Sequence, residues 1–145
     1  MTTFKRYLCL CFYAAFPMWL CGQTLDVQIK NIRNTKGQLC IAIFADQTGF
    51  KAEKTIWEMK YSKKELSSGE LRLRIPIKEG KYGLSILDDE NENGKMNYGF
   101  LGIPREGFGF SNYIHKGIKV PNFSDFSFCI KKNEKIEILV LMKYF

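Results

Sequence analysis

A chain of 145 residues suits one domain. Its formal charge is +7, but the lysines and arginines are scattered, so the balance reads as a solvated basic surface and not as a nucleic-acid footprint. The one histidine, His115, and the cysteines left after residue 22, Cys40 and Cys129, have no zinc-ligand spacing.

Residues 1–22 have the pattern of a secretory signal peptide. Lys5 and Arg6 make a basic start, and Tyr7 to Leu20 is an apolar run too short to span a bilayer and interrupted by Pro17. Cleavage is expected after Gly22, so that a mature chain of 123 residues begins at Gln23. The alternative is lipid attachment at Cys21, where Leu20 is larger than the small residue such sites want before the cysteine. Export implies a periplasmic or extracellular location and a mature chain without a transmembrane helix. Removing Lys5 and Arg6 lowers the formal charge from +7 to +5. Oxidising surroundings permit a bridge between Cys40 and Cys129. Both lie in strand-like runs, where a buried free thiol is also common.

From there the chain reads as strands. Leu25, Val27 and Ile29 alternate with polar residues, as in a half-buried strand. Asn34 to Gly37 is a turn. Gln38 to Ala45 is apolar on both faces and is expected to be central. Residues 46–61 keep no single period, and Ala52 to Met59 is expected as a short helix or an irregular crossing, with Trp57 in the core. Leu71, Leu73, Ile75 and Ile77 alternate with basic residues, and Pro76 marks an edge or an end. The spacing Ile77-x-x-Gly80-x-Tyr82 resembles a tyrosine corner, in which the hydroxyl bonds back to the backbone. Tyr82, Leu84 and Ile86 alternate in the next strand. Ile114 to Val120 is expected as a short strand ended by Pro121. Phe126, Phe128 and Ile130 form another, Lys131 to Glu134 a turn, and Ile136 to Met142 the last strand. About seven strands at short spacing, with at most one short helix, predict an all-β, antiparallel sandwich over 23–145.

The stretch from Leu84 to Asn112 departs from this rhythm. After the apolar run come Asp88, Asp89, Glu90, Asn91, Glu92, Asn93 and Gly94, then glycines at 99, 102, 107 and 109 interleaved with aromatics. Asp and Asn bond their own backbone two residues on, which predicts an ordered turn. The glycines and the side chains of Phe100, Leu101, Ile103, Phe108 and Phe110 predict a loop that buries itself against the body, leaving Asp89, Glu90 and Glu92 to solvent.

Three runs spread over most of the mature chain resemble the DUF2141 family: Gly37-Gln38-Leu39-x-Ile41-Ala42-Ile43-Phe44, Asp89-Glu90-Asn91-x-Asn93-Gly94-Lys95, and Phe100 to Asn112. Asp88 stands where many members carry histidine, and Asn97 where aspartate is common; both changes remove support for a metal site drawn from the family. The resemblance implies an exported bacterial protein with an immunoglobulin-like or transthyretin-like Greek-key sandwich. It implies no known activity.

Asp89, Asn91, Asn93 and Gly94 fall at the first, third, fifth and sixth places of an EF-hand-like loop, with Lys95 the next candidate ligand. Phe100 stands where the closing carboxylate belongs, with Glu106 or Asp88 available to complete the shell. A hydrogen-bonded Asx turn explains the same letters, and calcium, if it binds, is expected to bind at about 10⁻⁴–10⁻³ M. No cofactor is otherwise implied. A catalytic reading would use the carboxylates of 88–92 as an acid–base pair in a small hydrolase. The non-catalytic reading is a binding or accessory module for an envelope protein or glycan, with Asp89, Glu90, Asn91, Asn93, Phe100, Glu106, Phe108, Phe110 and Asn112 as candidate contacts. Weak calcium-dependent glycan binding is a variant of it.

Overall fold

A computed structural model describes residues 22–145; residues 1–21 of the expected signal segment, Cys21 included, lie outside the described residues. The elements run β1 (Thr24–Lys30), β2 (Gln38–Phe44), α1 (Gln47–Lys51), β3 (Trp57–Ser62), β4 (Leu71–Pro76), β5 (Gly80–Asp89), β6 (Gly107–Phe110), α2 (Phe123–Phe126), β7 (Ser127–Ile130) and β8 (Lys135–Leu141). They form an all-β sandwich. One sheet is ordered β4-β1-β8; the other is β3-β2-β5-β6, with β7 also on β5. β5 is long enough to be shared, pairing β7 along Gly80–Gly83 and β6 along Ser85–Asp88.

The two-residue period of the sequence builds the core directly. Leu25, Val27 and Ile29 of β1 meet Leu39, Ile41 and Ile43 of β2 and Leu84 and Ile86 of β5, together with Ile138 and Val140 of β8, all nearly fully buried. β2 lies between β3 and β5, as its two apolar faces require. Trp57 packs against this core. A second, aromatic cluster of Phe44, Phe110, Phe123 and Phe126 joins α1 and α2 to the larger sheet, with Phe50 edge-on to Phe126 at 4.9 Å. The Asp46 carboxylate caps α1 by accepting the Gly49 N–H at 2.7 Å.

Several expectations change. The described residues form eight strands and two short helices. The sandwich is not wholly antiparallel, because β8 runs parallel to β1. The helix of the 46–61 region lies at Gln47–Lys51, earlier than expected, and Trp57 already opens β3. Residues 114–120 form no strand: the Lys143 ammonium holds the carbonyls of His115 and Gly117, at 3.0 and 3.4 Å, where a ladder would have held them. Cys40 and Cys129 are both free. Cys40 stands opposite Leu87 and Cys129 opposite Lys81, six positions apart along β5, or about 20 Å, far beyond the ~7 Å a bridge tolerates. The Tyr82 hydroxyl donates to the Glu79 carbonyl at 3.4 Å, a long version of the expected corner bond.

Candidate functional site

β5 ends in two adjacent carboxylates, and alternation along a strand sends them to opposite faces. Asp88 points between the sheets. It is fully buried and ion-paired with Lys63, itself fully buried, and it accepts the Tyr144 hydroxyl at 2.6 Å. Lys63 also donates to Asn34 Oδ1 at 3.0 Å. Burial and the bond to Asp88 push the Tyr144 phenol well above its ordinary range.

Asp89 faces the other way and is equally buried, so it is not presented to solvent as the sequence suggested. The turn closes over its carboxylate: Oδ1 accepts the Asn93 N–H at 3.0 Å, and Oδ2 accepts the Gly94 N–H at 2.8 Å and the Gln38 amide at 2.8 Å. Burial alone would raise the Asp89 pKa, but the bonds from Gln38, Gly94, Asn93 and Cys40 outweigh it and leave the carboxyl below its usual range. Gly94 takes the left-handed backbone (φ 74°) that this tight turn demands. Asn91 and Asn93 each donate to Asn97 Oδ1 at 2.9 Å, and the Lys95 N–H bonds Asn93 Oδ1 at 2.9 Å. Glu90 is half-buried and held by Arg33 Nε at 2.6 Å and Asn34 at 2.9 Å; the Arg33 guanidinium in first place holds its carboxyl below the usual range. Of the three expected acids, Glu92 alone is exposed.

The rest of the stretch divides in two. Its base is packed: Phe110 is buried, Phe108 lies against Phe145 and His115 at 6.0 and 5.7 Å, and Asn112 Oδ1 accepts the Leu139 N–H at 2.9 Å. Gly107 and Gly109 are required here, because a Cβ would strike Tyr144 at the first and Val140 at the second. The tip is not packed, against expectation. Phe100 is 83% exposed and Leu101 76%, with Tyr98 and Ile103 also exposed. The tip is nevertheless tied: the Gly99 N–H bonds the Ile103 carbonyl at 2.7 Å, and Leu101 and Gly102 hold positive φ in a short 3₁₀ turn, Phe100–Gly102. That backbone points the apolar side chains away from the sandwich. Beneath it, Glu106 is 5% exposed and accepts the Asn97 N–H through Oε2 at 2.9 Å.

Residues 27–137 match the model of a family described as an uncharacterized protein conserved in bacteria, DUF2141. The chain belongs to the DUF2141 family. No curated protein and no solved structure matches it. The matched span takes in the acidic turn, the apolar tip and β6 of this DUF2141 chain.

Lys63, Tyr144, Arg33 and Asn34 gave no sign of their roles in sequence. Lys63 sits beside an ordinary surface lysine, Lys64, and only the inward turn of its side chain after β3 separates them. Ser111 was also missed; its hydroxyl donates to the Phe126 carbonyl at 2.6 Å and accepts the Leu84 N–H at 3.0 Å, locking the stretch to β5 and α2. Among the described residues, no three His, Cys, Asp or Glu side chains converge as metal ligands. His115 lies among Phe108, Phe110 and Tyr113, and burial pushes its pKa down. A surface depression of about 520 Å³ is lined by Asp26, Arg72, Arg74 and Glu137 and does not reach the acidic turn. Among the described residues, no helix is long and apolar enough to cross a membrane.

Proposed function

We propose that this DUF2141 chain is an exported, non-catalytic binding module of the cell envelope, and that it meets its partner through the apolar tip at 98–103. The observation that carries this reading is the exposure of Phe100 and Leu101 on a hydrogen-bonded backbone that holds them outward. Large apolar side chains held in water by an ordered loop have no role in packing this fold, and loops on a rigid sandwich are common places for contact groups. The partner is an envelope protein or glycan with an apolar surface that receives the Phe100 and Tyr98 rings. The acidic turn gives the hydrolase alternative little support: Asp88 and Asp89 diverge to opposite faces, and each is engaged by its own partners.

The test is capture from the native envelope with wild type and a Phe100→Ser, Leu101→Ser variant. The wild type is expected to retain a partner that the variant loses while its melting temperature stays unchanged. Equal capture by both would sink the reading. Export is tested separately by intact mass: a chain starting at Gln23 fits the reading, a lipidated Cys21 moves the module to a membrane anchor, and a mass that includes residues 1–22 without lipid rejects export.

A further inference from the structure

We propose that the turn at the end of β5 is a calcium site, built from the side chains of Asp89, Asn91, Asn93, Asn97 and Glu106 with the Lys95 carbonyl. It needs nothing from the binding reading above. The observation that points to a ligand is Glu106. It is 5% exposed, one carboxylate oxygen takes the Asn97 N–H, and the other, Oε1, is buried with no hydrogen-bond partner among the described residues. A buried carboxylate oxygen left unpaired is costly, and a cation at that oxygen removes the cost.

Glu106 supplies what the local loop lacks. Asp89, Asn91, Asn93 and Asn97 occupy the first, third, fifth and ninth places of a calcium loop, Gly94 makes the turn at the sixth, and Lys95 offers a backbone carbonyl at the seventh. The twelfth place is the outward-facing Phe100. Glu106 enters from the bend that leads into β6 instead: Gly107 and Asp88 are the last pair of β6 and β5, and Glu106 and Asp89 are the next residue beyond that pair on each side. On the neighbouring strand β2, the Cys40 thiol reaches Asp89 Oδ2 at 3.7 Å.

The three asparagines already converge, since the Asn91 and Asn93 amides both reach Asn97 Oδ1 at 2.9 Å. Half-turns of the first two amides present oxygen where nitrogen now stands. The Asn93 N–H then keeps its bond to Asp89 Oδ1, while the exposed Lys95 N–H exchanges Asn93 Oδ1 for water. Two carboxylates, three amide oxygens and a carbonyl form a hard, all-oxygen set that suits calcium and not a thiolate- or imidazole-seeking metal. Lys60 opposes binding. It pairs with Cys40 across β2 and β3, and its ammonium lies beside Gly94.

The purified chain is titrated with calcium, and separately with magnesium, while heat of binding and melting temperature are followed. Calcium is expected to raise the melting temperature with a midpoint of about 10⁻⁴–10⁻³ M, the range of extracellular modules. Magnesium, which demands a stricter octahedron, is expected to fall well short at the same concentration. Glu106→Gln keeps the shape and an acceptor for the Asn97 N–H and is expected to weaken calcium at least tenfold. Lys60→Met is expected to tighten it a few-fold. Absence of any calcium response in the wild type overturns the proposal, as does an equal response to magnesium or an undiminished one in Glu106→Gln. If Glu106→Gln does not fold, the wild-type pair of titrations and Lys60→Met decide the matter.

Discussion

Asp88 and Asp89 are neighbours in sequence, and both are fully buried, yet the molecule satisfies them in different ways. Asp88 sits between the sheets, where backbone donors are already spent on the ladders, so it is neutralised by side chains brought from far along the chain, Lys63 and Tyr144. Asp89 sits where the chain leaves the sheet, and its own next turn wraps it in backbone N–H groups. A charge inside a sandwich needs a counter-charge; a charge at the mouth of a turn can be solvated by the turn itself.

The sharpest way to break the comparison is Lys63→Met. It strands the Asp88 carboxylate in the core, and chemical denaturation is expected to show a loss of about 3–5 kcal/mol. Adding Asp88→Leu to that variant is expected to recover part of the loss, because the uncompensated charge goes with it. A loss under about 0.5 kcal/mol for Lys63→Met would mean that Asp88 is not held by it.

Asp89→Ala is expected to cost less, about 1–3 kcal/mol, since it leaves turn N–H groups without an acceptor but strands no charge. The same side chain, together with Glu90, gives the fold an acid limit. Both carboxyls lie below their ordinary values in the folded chain, so folding favours their ionised forms. Their stabilisation is fully present above the unfolded-state values, about 3.9 and 4.3, and is lost as pH falls through the lower folded values. Melting temperatures measured downward from pH 6 should fall more steeply in wild type than in an Asp89→Ala, Glu90→Gln double variant; parallel curves would show that these groups do not set the limit.

The smallest effect is expected at the tip of the same stretch. Phe100→Ser removes a ring that is 83% exposed and should change stability by no more than about 0.5 kcal/mol. A larger loss would mean that the tip is packed after all. Phe110→Ser at the base, where the ring is buried among Phe50, Phe126 and Tyr113, is the contrasting control.

The residues themselves determined most of the strands. Period-two alternation in β1, β5 and β8, the double apolar face of β2 and Pro76 at the end of an edge strand are local facts, and so are the Asp–Asn–Gly letters of the turn. Only the tertiary structure decided which apolar residues are covered. Phe100 and Phe110 look alike in sequence, but one rides exposed on a tied turn, while the other meets α1 and α2, elements outside its own loop. Likewise, no local pattern marks Lys63 as the partner of Asp88, or Glu106 as the residue that follows the last β5–β6 pair on the side opposite Asp89. Those pairings follow from how β3 ends and from the β5–β6 register, and register is a property of two strands at once, which neither carries alone.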